Sequence, residues 1–545
     1  MSKEYSEWLQ NVVDEELSQE LWSMKNDERK KEECFYKSLE FGTGGLRGIL
    51  GAGSNRMNIH TVSRATYGLA AYVKERKQEA AVVIAYDTRN KSREFAHLSA
   101  DIFSSFGVKS YIFDSPTPTP VLSFAVRRLR ADAGVVITAS HNPKEYNGYK
   151  VYNEKGCQIT DTAAAAITEK IEKYGYFEIC IPRKEIIYRI GEEILEAFLD
   201  EIEKYRYARD KKELFPSIVY TPLHGTGYIP VKKLFERMGV SDYAVVSEQA
   251  EENGDFPTCP YPNPEEKAAL KLAVELAKKR GSDLVLATDP DADRVGVVVK
   301  EGMRYRFLTG NEIGILLENY LLFKRSEKGE LSENSLVVKT IVTTDLAEKI
   351  AKDYGAKVEE VLTGFKYIGE RIDELKRKDD YVLGLEESCG YLIGTHARDK
   401  DAVSAIMLIV EMAAYYKGNG QSLCSALEKL YEKYGYYVSL LRSFHFEGAK
   451  GKQDLEHLID TLREAPLETI AGEKVLSRAD YLKGVNGLPK SNVLSFVSKN
   501  NKVVIRPSGP EPKLKIYFSA RADNQAEAER NIGALEKDVK QKLGL

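Results

Sequence analysis

The chain has 545 residues, 43% hydrophobic and 30% charged, which describes a globular protein long enough for three or four domains. Its 79 basic and 83 acidic residues are finely mixed and leave a formal charge of −4, so nucleic acid and anionic lipid are excluded as partners. No apolar run approaches the ~20 residues of a membrane span, MSKEYSEWLQ lacks the apolar core of a signal peptide, and six scattered cysteines show no CxxC spacing; a cytoplasmic protein with reduced thiols is expected.

In chain order, residues 1 to about 40 read as charged amphipathic helices. Phe41 to Gly48, FGTGGLRG, surrounds Arg47 with glycine. It is either a loop whose N–H groups and guanidinium approach an anion, or a glycine-rich turn with a surface arginine. A βαβ run follows through Ala80–Arg89 and Lys109–Ser115 to a buried strand, Gly134 to Thr138. That strand ends in a loop carrying Ser140, His141, Asn142 and Pro143, with Lys150 shortly after. Ligands sit at the carboxyl ends of strands in a parallel α/β sheet. A hydroxyl beside an imidazole there is either an activated nucleophile or a turn that hydrogen-bonds its own backbone.

The pattern restarts after a helix near Glu193–Tyr205, with strands in Pro216–Gly227, Tyr243–Glu248 and Ser282–Arg294. It starts a third time with a helix near Asn311–Phe323, then Ser335–Thr344, Lys357–Gly369 and Asp380–Tyr391; Ala402 to Tyr416 is the longest helical candidate. Three strands thus end in polar loops, ITASHN, ATDPDADR and GLEESCG, as in a weak internal repeat of one α/β unit. The last hundred or so residues differ, pairing helices with antiparallel-looking strands. The fold expected is three similar α/β domains with mixed, largely parallel sheets plus a C-terminal α+β domain. The domains are placed at 1–189, 190–308, 309–436 and 437–545.

Asp289, Asp291 and Asp293 stand at alternate positions directly after an apolar strand. Carboxylates that close repel without a cation, so the spacing asks for a hard metal with oxygen ligands. An EF-hand is excluded because its sixth and twelfth positions would be Arg294 and Lys300. An acidic helix-capping turn is the remaining alternative. Glu386 and Ser388 in GLEESCG suit sugar hydroxyls or an ordinary helix start. Arg506 to Lys513, RPSGPEPK, suits either a bound phosphate or a plain turn.

TASHNPKEYNGYKVY resembles the phosphoserine loop of the α-D-phosphohexomutases, the family of phosphoglucomutases and phosphomannomutases, and DPDADR resembles that family's metal loop. The four motifs run in the family's order from residue 41 to 513. The resemblance implies a four-domain fold around one central cleft, with Ser140 carried phosphorylated and Asp289, Asp291 and Asp293 holding Mg2+ beside it. It implies Lys150, or else His141, as general base or acid, and Arg47 as a phosphate or phosphoserine contact, with Arg294 adding charge. Glu386 and Ser388 become the sugar contacts, Thr363, Gly364 and Phe365 a specificity loop, and Lys400 a lysine facing substrate. Arg506, Ser508 and Gly509 become the holder of the idle phosphate. Two positions depart from the family: Leu385 replaces the first glycine of the sugar motif, and Pro510 replaces a threonine of the phosphate motif, removing a hydroxyl and an N–H.

The activity implied is reversible transfer between C1 and C6 of a hexose phosphate, through a bisphosphate and with glucose 1,6-bisphosphate as activator. FGTGGLRG, LTGFKYIG and DKDA resemble the larger phosphoglucomutases, which favours glucose 1-phosphate and glucose 6-phosphate. A mannose or pentose phosphate with the same chemistry is the alternative, and a non-catalytic sugar-phosphate sensor a remoter one. The partner expected is a small sugar phosphate; the sequence is silent on oligomeric state.

Overall fold

The computed structural model describes residues 3–208, 214–446, 448–507 and 513–545. Its contacts divide the chain into two compact units: Met1–Thr309 with Ile368–Tyr381 and Ser388–Gly418, and Gly310–Tyr367 with Val382–Glu387 and Asn419–Leu545. Among the described residues no helix is long and apolar enough to cross a membrane.

The first unit opens with helices Lys3–Asn11, Glu15–Ser23 and Glu28–Phe35, the second and third capped by Asp14 and Asp27. Such caps satisfy N–H groups that the first helical turn leaves without partners. The helices are amphipathic as expected, and their inner faces bury Tyr5, Trp8, Leu21 and Met24 in a core of their own.

Next comes a six-stranded sheet in the order Leu46–Ile49, Tyr146–Asn153, Ala133–Ile137, Ala81–Tyr86, Lys109–Phe113, Ile187–Ile190. Its β-branched central strands are parallel and buried between helices, as a run of Val and Ile on both faces requires. Tyr146–Asn153 returns antiparallel beside Ala133–Ile137, pairing Lys150 with Val136. Leu46–Ile49 is antiparallel outside it, with Arg47 opposite Gly148.

The second sheet repeats the plan. Ile218–Thr221 lies parallel to Tyr243–Val245 and Leu284–Thr288, and Val295–Glu301 returns antiparallel against Leu284–Thr288. The helix Ala402–Gly418 is buried along most of its length, and its one inward acid, Glu411, accepts from the backbone N–H of Tyr207 at 3.1 Å. The serine, metal and sugar loops each carry one non-glycine residue in the left-handed region: Ser140 at φ 52°, Ala292 at 50° and Cys389 at 61°. The internal repeat seen in the sequence therefore extends to backbone conformation.

In the second unit, Leu336–Thr340 lies between Lys357–Val361 and Tyr381–Glu386. The stretch Lys357–Gly369, expected to be extended, divides: its strand stops at Val361 and a helix, Phe365–Glu374, begins after Gly364. The C-terminal part is antiparallel throughout, in the order Tyr436–His445, Lys513–Ala522, Asn501–Pro507, Leu494–Val497, Ser477–Asp480, with helices Gly448–Glu464 and Gln525–Leu543. It joins Leu336–Thr340 and its neighbours through Ile341, Leu362, Val504 and Tyr517, and through Lys502 to Asp345 at 3.0 Å.

Candidate active site

Ser140 stands three residues beyond the strand Ala133–Ile137 and is 4% exposed. Its N–H donates to Thr138 Oγ1 at 2.8 Å, and its Oγ donates to Asp289 Oδ2 at 2.7 Å. His141 Nδ1 lies 3.1 Å from the same Oγ. The next strand must approach closely here. A Cβ on Gly148 would come within 2.4 Å of Thr138 O, and one on Gly45 within 1.7 Å of Tyr149 O. The glycine-rich FGTGGLRG stretch therefore lies flat on Tyr146–Asn153, and the pairing of Arg47 with Gly148 carries Arg47 to the serine loop.

Asp289, Asp291 and Asp293 are buried, each with a carboxylate oxygen within 4.8 Å of the others. Asp289 Oδ1 accepts from the N–H groups of Asp293 and Arg294 at 3.1 and 3.0 Å. Asp291 Oδ2 accepts from Lys150 Nζ at 2.8 Å and Thr119 Oγ1 at 3.0 Å. Lys400 Nζ lies 3.2 Å from Asp293 Oδ2 and 3.1 Å from Asp399 Oδ1. Among the described residues, Asp291 Oδ1 and Asp293 Oδ1 are buried acceptors with no hydrogen bond. Burying a carboxylate oxygen without a donor is costly, and a bound cation removes that cost. Three oxygen-donor side chains are also what a hard divalent ion prefers, so the residues present fit magnesium.

The electrostatics agree. Burial and the two neighbouring aspartates push the Asp289 carboxyl well above the carboxylate range. Burial pushes Asp291 the same way, but the Lys150 ammonium outweighs it and holds Asp291 low. Burial opposes the Lys150 charge, yet Asp291 and Asp293 outweigh it and raise the lysine above its ordinary value. Burial, then Arg294 and Arg47, push His141 well below its ordinary value and keep its ring neutral. Near neutral pH the site thus holds an ammonium on the aspartates and a neutral imidazole on the serine.

The metal loop is fixed by groups that the motifs did not mark. Thr226 gives its N–H and Oγ1 to Pro290 O at 2.8 and 3.0 Å, and the Thr119 N–H donates to Asp291 O at 2.9 Å. Asp399 orients Lys400 while accepting from Tyr152 OH at 2.7 Å and Gln158 at 2.9 Å. Arg89 holds the serine loop by its backbone carbonyls. Arg89 and Thr226 lie in the loops that follow the strands Ala81–Tyr86 and Ile218–Thr221, so the same strand-end rule that singled out Ser140 applies to them.

Among the remaining expected residues, Ser388 precedes Cys389, whose carbonyl accepts from the Val295 N–H at 3.1 Å, next to the metal loop. Arg294 pairs with Glu265 at 2.7 Å. In the second unit, Glu386 Oε1 accepts from the Gly364 N–H at 3.0 Å, which ties Glu386 to the Thr363–Phe365 loop. Gly364 is at φ 121°, a conformation open chiefly to glycine. Arg506 ends the strand Asn501–Pro507 and hydrogen-bonds the Tyr517 side chain. Ser508, Gly509 and Pro510 lie outside the described residues.

Residues 38–177, 196–302 and 309–434 match, in that order, the phosphoglucomutase/phosphomannomutase alpha/beta/alpha domains I, II and III. A phosphoglucomutase of Staphylococcus saprophyticus is 36% identical over 540 residues, covering 95% of this chain and 96% of that one. A phosphoglucomutase of Staphylococcus aureus is 33% identical over 546 residues, covering 97% of each. In fold, the chain is similar to a putative phosphomannomutase of Thermus thermophilus (TM-score 0.71, 22% identity, 93% of this chain and 100% of that one). It is equally similar to the Paramecium phosphoglucomutase parafusin (TM-score 0.71, 17% identity, 93% and 95% covered).

Proposed function

The chain belongs to the phosphoglucomutase/phosphomannomutase family, and from that premise we propose that it interconverts glucose 1-phosphate and glucose 6-phosphate through a phosphoserine at Ser140. The observation that carries this reading is the Ser140 hydroxyl, buried and donating to Asp289 at 2.7 Å beside two oxygen atoms that lack donors. Identity to phosphoglucomutases over nearly the whole chain supports glucose as the sugar.

Phosphoryl transfer is catalysed chiefly by positioning and charge neutralisation. Phosphorylated Ser140 donates its phosphoryl group to the free hydroxyl of the sugar phosphate. The bisphosphate turns over, and its other phosphate returns to Ser140. Asp289, Asp291 and Asp293 would hold Mg2+, which when bound screens the transferring group and polarises it. Arg47 and Arg294 add fixed positive charge on this side of the sheet. The attacking sugar hydroxyl gives up a proton and the departing Ser140 Oγ takes one, with the reverse on return, so no net proton is lost; His141 Nδ1 and Asp289 Oδ2 are within reach of Oγ. Lys150, favoured by the family motif as the base, is held charged by Asp291. In that state it acts as a cation toward the phosphoryl group.

Glu386 and Ser388 contact the sugar hydroxyls, Thr363 and Gly364 shape their loop, and Lys400 faces the substrate. Arg506, with Ser508 and Gly509, holds the idle phosphate, and glucose 1,6-bisphosphate primes the serine. These parts belong to four domains at 1–189, 190–308, 309–436 and 437–545. Six free cysteines support a reducing, cytoplasmic setting.

The test is a coupled assay for glucose 6-phosphate formed from glucose 1-phosphate, with Mg2+ and a trace of the bisphosphate. Turnover in wild type is the expected result. Mannose and pentose phosphates run in parallel: a preference for either reassigns the sugar, and silence with all of them overturns the catalytic reading.

A further inference from the structure

A buried guanidinium lies against the backbone of the serine loop. Arg89 is 3% exposed and follows the strand Ala81–Tyr86. Its Nη1 donates to the carbonyls of Pro143 at 2.8 Å and Tyr146 at 3.2 Å, and its Nη2 to those of Ser140 at 2.5 Å and of Asn142. Four carbonyls between Ser140 and Tyr146 thus converge on one side chain.

The guanidinium is itself fixed. Asp87 Oδ2 lies 3.3 Å from its Nε, and Asp87 Oδ1 accepts from the Arg89 N–H at 2.9 Å and Ser92 Oγ at 2.6 Å. The Phe256 ring centroid is 4.9 Å from its Cζ. Phe256 is itself at φ 45°, so the loop carrying it is held in an uncommon conformation where it meets Arg89.

Only arginine suits this place. Its planar fork offers five N–H donors in fixed directions, whereas a lysine offers three from one point. The loop needs such a clamp because Ser140 is in the left-handed region, which a side chain with a Cβ leaves unless its surroundings hold it there. Released from its four contacts, the loop would swing Oγ away from Asp289.

We propose that Arg89 is a positioning residue of the transfer reaction, holding the serine loop by its carbonyls so that Oγ stays against the metal aspartates. This rests on the reading of Ser140 as the phosphoryl carrier. Toward the serine loop the Arg89 side chain hydrogen-bonds backbone carbonyls and not the hydroxyl, so it acts on the alignment of the transferring group and not on sugar binding. Its loss should therefore lower kcat and leave KM in place.

Arg89→Lys and Arg89→Met in the full chain test this, with three readouts: steady-state constants for glucose 1-phosphate, the melting temperature, and the share of phosphoserine lost to water instead of sugar. A displacement of ~1 Å at a reacting group costs on the order of 10²-fold. Arg89→Lys is expected to lose about that much kcat, with KM within about threefold and a larger hydrolytic share. Arg89→Lys keeps the buried charge and decides the question if Arg89→Met does not fold. Wild-type kcat in Arg89→Lys overturns the inference, as does a kcat loss that merely follows the melting temperature with the hydrolytic share unchanged. Wild-type enzyme inactive on every sugar phosphate removes the phosphoserine reading and this inference together; active wild type with an indifferent Arg89→Lys removes the inference alone.

Discussion

The serine loop and the metal loop share one design, but different groups hold their backbones. Each leaves a buried parallel strand, passes one non-glycine residue at positive φ and returns through an antiparallel neighbour. The serine loop is gripped through its carbonyls by a cation, Arg89. The backbone of the metal loop is gripped by neutral donors, the N–H groups of Thr119 and Thr226 and the Thr226 hydroxyl, while its carboxylates pair with two cations, Lys150 and Lys400. The difference follows from the charge each loop has to present. A serine proposed to carry a dianion gains from positive charge fixed against its loop. The metal loop keeps its cations on the carboxylates themselves, where Lys150 and Lys400 offset part of the buried acidic charge, and leaves its backbone to uncharged donors.

The comparison breaks most visibly at its two centres. Ser140→Ala removes the hydroxyl that donates to Asp289, and turnover should fall at least ~10⁴-fold, since a covalent carrier cannot be bypassed. The same variant should still bind Mg2+, because the aspartates remain; loss of metal binding in calorimetry would count against separate roles for the loops. Asp291→Asn keeps the contact surface while removing a charge that Lys150 and the cation share. A loss of about 10³-fold in kcat is expected, with metal affinity falling in parallel.

Thr226→Val sharpens the comparison on the supporting side. It deletes the hydroxyl bond to Pro290 O but leaves the N–H bond. Outer supports of metal sites are typically worth 10- to 100-fold, and half of this one should cost about 10-fold in metal affinity, with kcat at saturating metal nearly unchanged. Isothermal titration against activity at high Mg2+ separates the two.

The smallest effect is on pH dependence. Asp289 is raised in the folded, metal-free protein by burial and its neighbours. A group raised on folding stabilises the fold below its unfolded value, and that contribution is lost as pH rises through the folded value. Metal-free protein should therefore lose stability as the pH rises above the carboxylate range. Mg2+ must displace the proton, so the rise in melting temperature on adding Mg2+ should grow as the pH rises above the carboxylate range. Thermal melts with and without metal, repeated for Asp289→Asn, check this; the variant should show a flat profile.

What was legible in the sequence was what lies contiguously in it. TASHN and DPDADR place their chemistry within a few residues, and hydrophobic runs before them mark the strands that aim them. Arg89, Thr119 and Asp399 were missed because their partners are 51 or more residues away in the chain, so no local spacing records them. The charged state of Lys150 was hidden for the same reason, being set by aspartates 141 residues on. The end of the stretch Lys357–Gly369, expected to be extended, is instead the start of a helix, and Phe365, Ile368 and Ile372 recur at helical spacing and are buried. Gly364 at positive φ is the break that the apolar run concealed.

The most direct test of the central claim is to incubate the protein with glucose 1,6-bisphosphate and Mg2+, then map phosphate by peptide mass spectrometry. The account predicts one phosphate, on Ser140, that passes to sugar when excess glucose 1-phosphate is added and is absent in Ser140→Ala. Turnover with no phosphate on Ser140, or with the phosphate on another residue, would contradict it.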